Sequence, residues 1–102
     1  MPRAIVLDER DNVANLIGAA KAGEVVEVHC MDAVQHITLM SDIPANHKFA
    51  TREIRAGELV IKYGHPIGRA TQDIQIGEHV HVHNVESLRA RADLEEAKGG
   101  KV

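Results

Sequence analysis

The chain has 102 residues, a formal net charge of −3 with its histidines neutral, one Cys, one Phe, one Tyr and no Trp. That length describes one domain with an aliphatic core, burying roughly two-thirds of the surface its unfolded chain exposes. The acidic balance and the lack of a basic cluster exclude an electrostatic case for nucleic acid. The lone Cys30 excludes an intrachain disulfide, and no apolar run reaches the length of a signal peptide or a membrane span, so a cytoplasmic chain without a membrane partner is expected.

Taken in order, Ala4, Ile5, Val6 and Leu7 form an apolar run closed by charges and predict a buried strand. Asp11 or Asn12 is placed to cap a short helix that turns Val13, Ala14, Leu16 and Ile17 towards the core and ends at Gly23. Residues 24–31 and 35–40 alternate with β-branched side chains and predict a hairpin, with Cys30 as a small core residue. A loop around Pro44 follows, and Lys48, Phe49 and Ala50 resume extended structure. Thr51, Arg52, Glu53 and Ile54 read as one helical turn before Gly57. Residues 59–63 are an apolar strand stopped at Gly64, 66–70 a turn and bend, and 79–83 a further strand. From Glu86 the composition changes to Leu, Arg, Ala, Asp and Glu with few apolar positions. The expected organisation is a domain over 1–86 and a flexible or partly helical tail over 87–102.

One stretch repeats. Residues 50–60 align with 70–80, with Ala, Thr, Ile, Gly, Glu and Val recurring 20 residues apart. Two copies are too few for a solenoid, so the repeat predicts one β-unit used twice. Lys21, Ala22, Gly23 and Glu24 echo Arg55, Ala56, Gly57 and Glu58 as a weaker third occurrence.

The second copy ends in His79-Val80-His81-Val82-His83. On a strand the three histidines share one face and the valines take the other. Adjacent imidazoles then stand about 6.6 Å apart along the strand, and all three span about 13 Å. An adjacent pair can chelate one ion, whereas three cannot easily share it. A solvated histidine face is the equal alternative.

His47-Lys48 follows the Pro44 loop, where a cation and a group titrating near neutral pH suit an anionic substrate. An exposed loop pair is the plainer reading. Tyr63 can donate its hydroxyl to a substrate oxygen or simply cover the edge of the core. No phosphate-cradling glycine motif, nucleophile elbow or paired-cysteine site is present. The residues make part of a site that another polypeptide would complete.

His47-Lys48-Phe49-Ala50, Ile54, Gly57, Ile61-Lys62-Tyr63-Gly64, Ile67-Gly68, Ala70, Ile74, Gly77-Glu78-His79-Val80-His81 and His83-Asn84, with Asp11-Asn12-Val13-Ala14 upstream, resemble the SAF-type small domain of altronate dehydratases. The same pattern is similar to the alpha subunit of sulfolactate sulfo-lyase and, in part, to galactarate dehydratase. Asn46 departs from it, standing where the family often has Gly.

The resemblance covers roughly residues 4–85 and implies a mainly β fold, a small β-clip of short strands and hairpins with one or two short helices. It implies the small subunit of a metal-dependent sugar-acid dehydratase or related hydroxy-acid lyase, a hydro-lyase component inactive alone. The partner it implies is a large catalytic subunit sharing a divalent metal, iron(II) or manganese. On that scheme His47 and Lys48 are catalytic, Lys48, Tyr63 and Asn84 contact a sugar-acid or hydroxy-acid substrate, and His81 and His83 approach the metal. The alternative is a non-catalytic SAF-type module that binds carbohydrate acids or docks onto a protein.

Overall fold

A computed structural model describes residues 1–88 of the chain. Its strands are β1 (Arg3–Val6), β2 (Val13–Ile17), β3 (Val25–Cys30), β4 (Ala33–Thr38), β5 (Lys48–Ala50), β6 (Leu59–Lys62), β7 (His65–Ala70), β8 (His79–Val80) and β9 (Val85–Ser87). Six of them form a sheet in the order β4-β3-β1-β2-β5-β8, and β6-β7-β9 form a second. All pairings are antiparallel except β1 with β3, because the chain leaves β2, crosses β1 and returns on its far side. This is the expected mainly β architecture.

Strand alternation divides the apolar residues between two cores. Ala14 and Leu16 on β2 and Phe49 on β5 join Ala4, Val6, Val26, Val28, Ile37, Leu39 and Ile43 in the first. Val13 and Ala50, facing the opposite way on the same two strands, join Ile54, Val60, Ala70, Ile74 and Val80 in the second, between the sheets. Cys30 packs partly buried against the first core, as expected.

The helix expected from Asp11 or Asn12 is β2 instead. Apolar residues at 13, 14, 16 and 17 make a helical stripe, but in the strand Val13 is buried on one face and Ala14 and Leu16 on the other, while Ile17, expected to face the core, is exposed at the strand end. The side chains offered as caps serve another purpose. Asp11 Oδ1 accepts from the Gly64 amide at 2.8 Å, Asn12 Oδ1 accepts from the Ile61 amide at 2.8 Å, and Asn12 Nδ2 donates to the Leu59 carbonyl at 2.9 Å. Together they tie the start of β2 to β6 in the second sheet. The helical turn expected at 51–54 is likewise replaced by a bend and a two-way bridge between Ile54 and Ile74, and residues 1–87 contain no helix.

The repeat folds as two copies related by a local two-fold. The Ile54 amide donates to the Ile74 carbonyl at 2.9 Å, and the Ile54 carbonyl accepts the reciprocal bond from the Ile74 amide at 2.6 Å. The Gly57 amide donates to the Ala70 carbonyl, and the Gly77 amide to the Ala50 carbonyl, both at 2.8 Å. Each copy closes its turn on a glutamate, with the Arg55 amide on Glu58 Oε1 at 2.7 Å and the Gln75 amide on Glu78 Oε1 at 3.1 Å. The third occurrence is real. The Lys21 amide donates to Glu24 Oε2 at 2.6 Å, the Gly23 amide to the Leu39 carbonyl at 2.8 Å, and Ala20 bridges Ile43.

Two glycines are steric necessities here. A Cβ on Gly77, at a φ of 89°, would meet the Thr38 carbonyl oxygen, and one on Gly68 would come within 2.8 Å of the Glu86 carbonyl oxygen of β9. Gly68 sits inside β7, where a turn and bend over 66–70 was expected. Pro66 occurs near the start of this strand, and the irregularity it accompanies is a register shift in the β6–β7 pairing, where Val60 faces Gly68, Ile61 faces Pro66 and Ile67 of β7 is passed over. Tyr63 (φ 57°) and Gly64 (φ 74°) form the two-residue connection from β6 to β7, the left-handed pair such a hairpin favours. Of the tail expected at 87–102, Ser87 ends β9 and residues 89–102 lie outside the described part.

Candidate functional site

The two ends of the repeat-bearing stretch meet on one sheet. β5 pairs antiparallel with β8, setting Lys48 opposite Val80 and Phe49 opposite His79. His47 precedes β5 and is fixed through its backbone, its amide donating to the Pro44 carbonyl at 3.1 Å and its carbonyl accepting from the Leu16 amide at 2.9 Å. The His79 amide reaches Ser41 Oγ at 3.3 Å. Histidines 32 residues apart are thereby brought together: Nδ1 of His47 lies 2.9 Å from Nε2 of His79.

The strand expected over 79–83 stops at Val80. Beyond it the chain turns, and Val82, expected on the face opposite the histidines, is 82% exposed. Asn84 makes the turn. It is fully buried, its Oδ1 accepts from the His81 amide at 3.0 Å, and its Nδ2 donates to the His79 carbonyl at 2.9 Å. The amides of Asn84 and Val85 both return to the His81 carbonyl. Curling the chain overrides the strand spacing that would have kept the histidines apart. His47 and His81 have ring centroids 4.5 Å apart, and the His79 and His81 rings stack at 5.5 Å with 9° between their planes.

One donor atom from each of His47, His79 and His81 lies within 4.8 Å of the others. Imidazole nitrogens at about 2.0–2.1 Å from an ion stand about 3.0–3.4 Å from one another around it. At 2.9 Å the His47–His79 pair is just inside that spacing, and the His81 donor lies within 4.8 Å of both. Three imidazoles are a donor set that suits iron, zinc or manganese-type divalent ions with positions left over for substrate. His83, expected beside His81 at a metal, packs on His79 with centroids 5.3 Å apart and is not part of this closest group. His79, which the strand geometry did not single out, is one of its three members.

Burial and neighbouring positive charge favour the neutral form of His79 and His81. Burial, then the neighbouring His47, His83, His81 and Lys48, push His79 down to about 4. Burial, followed by His47, Lys48 and His83, also lowers His81. A neutral imidazole presents the lone pair that a metal requires.

Lys48 is half-buried beside the histidines, and burial together with the charge of Lys62 lowers its pKa. It lines a shallow hollow with His81, Ile67, Val82, Val85 and Ser87. Across the sheet Lys48 pairs with Asn15, whose Nδ2 donates to the Tyr63 hydroxyl oxygen at 3.2 Å. Lys62 Nζ stands 4.9 Å from the Tyr63 ring centre. Lys48, His81 and Asn84 therefore lie at one place, with Tyr63 joined to it through Asn15.

Residues 2–88 match the family described as the altronate/galactarate dehydratase SAF domain. The chain belongs to that family. This SAF domain is 37% identical over 87 residues to altronate dehydratase of Bacillus subtilis (strain 168), a match covering 85% of this chain and 17% of that one. It is 47% identical over 74 residues to altronate dehydratase of Escherichia coli (strain K12), covering 72% and 14%. The chain thus spans less than a fifth of the altronate dehydratases it matches. By contrast, the (2R)-sulfolactate sulfo-lyase subunit alpha of Chromohalobacter salexigens is 41% identical over 90 residues, covering 83% of this chain and 94% of that subunit.

Proposed function

We propose that this SAF domain is the small component of a hydroxy-acid lyase, acting with a larger catalytic body on an altronate-type sugar acid or a related hydroxy acid. The same module makes up a small fraction of a dehydratase in two relatives and nearly all of a separate lyase subunit in another. That division supports a part that works only with a larger body, whether or not the two are one polypeptide. The departing group is water in the dehydratase reading and sulfite in the sulfo-lyase one.

The observation that carries this reading is the convergence of His47, His79 and His81 beside Lys48. In this account the three ring nitrogens hold a divalent cation, iron(II) or manganese. Bound there, the cation would stabilise the negative charge that develops as the proton next to the substrate carboxylate is removed. Lys48 holds that carboxylate by its ammonium group, and partial burial strengthens the attraction by excluding water. Asn84 fixes the turn that aims His81, and so acts on substrate through its neighbours. His83, on the outer side of His79, is free to contact the substrate or exchange a proton with it. The remaining groups come from the larger body.

The test is elimination by the chain assembled with that body, assayed on altronate, galactarate and sulfolactate. His81→Ala and Lys48→Met should each lower turnover by at least about 10²-fold, in the range seen for loss of a single transition-state contact. A larger body that is fully active without this chain would refute the reading. Retained ligand binding with no turnover by the assembled pair would instead favour a non-catalytic binding module.

A further inference from the structure

Lys48 and Lys62 are the clearest unexplained feature of this surface. Both are tied to one tyrosine: Lys62 Nζ stands 4.9 Å from the Tyr63 ring centre, and half-buried Lys48 is the cross-strand partner of Asn15, which bonds the Tyr63 hydroxyl. Among the described residues neither forms an ion pair with a carboxylate, although the chain as a whole is acidic. Two neighbouring cations repel, and burying one adds a desolvation cost. An arrangement of this kind is relieved by an anion from outside.

The groups around them suit such a guest. Tyr63 Oη accepts from Asn15 Nδ2, which leaves the hydroxyl hydrogen available to donate. Asn15 is the cross-strand partner of Lys48, and Lys62 stands over the Tyr63 ring. Tyr63 is also held at a φ of 57° in a two-residue turn, a conformation unusual for a large side chain. The four residues come from β2, β5, β6 and the turn after β6, so the sheet pairing and not a mobile loop positions them.

We propose that Lys48, Lys62 and the Tyr63 hydroxyl form a binding site for the carboxylate of a small organic acid, with Asn15 orienting the phenol. Lys62 and Asn15 extend the site beyond the residues assigned above. Only the identity of the acid rests on the lyase reading. The site itself needs no metal.

The experiment uses the full-length, metal-free chain, titrated with glycolate at constant ionic strength and followed by side-chain NMR of lysine and tyrosine. Methanesulfonate is the second probe, to separate carboxylate from sulfonate recognition. Glycolate should move the Lys48, Lys62 and Tyr63 resonances along one saturable curve. Lys48→Met and Lys62→Met should each weaken binding about tenfold, as expected for loss of one charge-assisted contact, and Lys62→Glu should abolish it, with backbone spectra confirming the fold. Tighter binding of methanesulfonate than of glycolate would overturn the carboxylate assignment. Equal shifts from perchlorate, or unchanged affinity in Lys62→Met and Lys62→Glu, would overturn the site. Because no metal is present, failure here leaves the three-histidine centre standing, and failure of metal binding leaves this site standing.

Discussion

Nδ1 of His47 lies 2.9 Å from Nε2 of His79, and the pairing of β5 with β8 sets that separation. Two ring nitrogens this close share either a proton or an ion, because two imidazolium rings would repel. With His81 alongside, the arrangement predicts zinc binding by the full-length chain, measured by calorimetry at neutral pH. His79→Ala should weaken it at least tenfold, and His83→Ala should leave it within about threefold, since His83 is outside the closest donor set. A larger loss from His83→Ala than from His79→Ala would restore the His81/His83 pair as the metal site.

Acid should destabilise the metal-free protein through the same rings. His79 titrates near 6.5 when unfolded and is pushed down to about 4 when folded, chiefly by burial. Between those values the unfolded chain binds more protons, so stability falls as pH drops from about 6.5 to about 4 and levels off below. The lowered His81 acts in the same direction. Thermal midpoints measured across pH 4–7 should therefore decline towards acid, with a shallower slope in His79→Gln. An identical slope in that variant would remove His79 as the cause.

Asn84 predicts a separable effect. Its side chain satisfies one backbone donor and one backbone acceptor in a site without solvent. Asn84→Leu leaves both unpaired, at a cost of about 2–4 kcal/mol in urea denaturation. Asn84→Asp keeps the acceptor for the His81 amide, loses the donor to the His79 carbonyl and should fall between. Equal stability for wild type and Asn84→Leu would mean that the turn does not depend on this side chain.

Asn46 and Gly77 test the backbone. Asn46 adopts a φ of 65°, so it takes the left-handed conformation a glycine would take ahead of His47, and the departure from the family pattern keeps the loop shape. Asn46→Gly should change stability by about 1 kcal/mol or less, with relief of backbone strain set against added freedom in the unfolded chain. Gly77→Ala combines an unfavourable φ with a Cβ driven onto the Thr38 carbonyl, and should cost at least about 2 kcal/mol. Chemical denaturation of the pair gives the ordering directly.

Much of the fold could be read from local pattern. The β3–β4 hairpin, β1, β5 and most of β6 follow from alternation and turn residues. β2 could not, because positions 13, 14, 16 and 17 make a helical stripe while 13, 14 and 16 also fill the two faces of a strand, and only the tertiary bonds of Asn12 to β6 decide between them. β7 was hidden by Pro66 and Gly68, residues that usually mark turns. The site was half legible. His47, Lys48 and His81 stood out by type, but the role of His79 depended on the pairing of β5 with β8, and the approach of His81 on a turn held by one buried amide.

A signal for it did exist in the repeat. The first copy pairs Leu59 with Arg69 and Val60 with Gly68; shifted by 20 residues and exchanged about the two-fold, that register is His79 with Phe49 and Val80 with Lys48. The symmetry of the duplicated unit therefore implies that His79 lies near His47. Asn15 and Lys62 carried no comparable sequence signal, since their neighbours arrive from distant strands.

The central claim is that His47, His79 and His81 together hold a divalent cation. X-ray absorption of the full-length chain loaded with iron(II) under anaerobic conditions tests it most directly. The account predicts a first shell with about three imidazole nitrogens near 2.0–2.2 Å, reduced to about two in His47→Ala and unchanged in His83→Ala. A shell of oxygen alone, or one indifferent to His47→Ala, would contradict it.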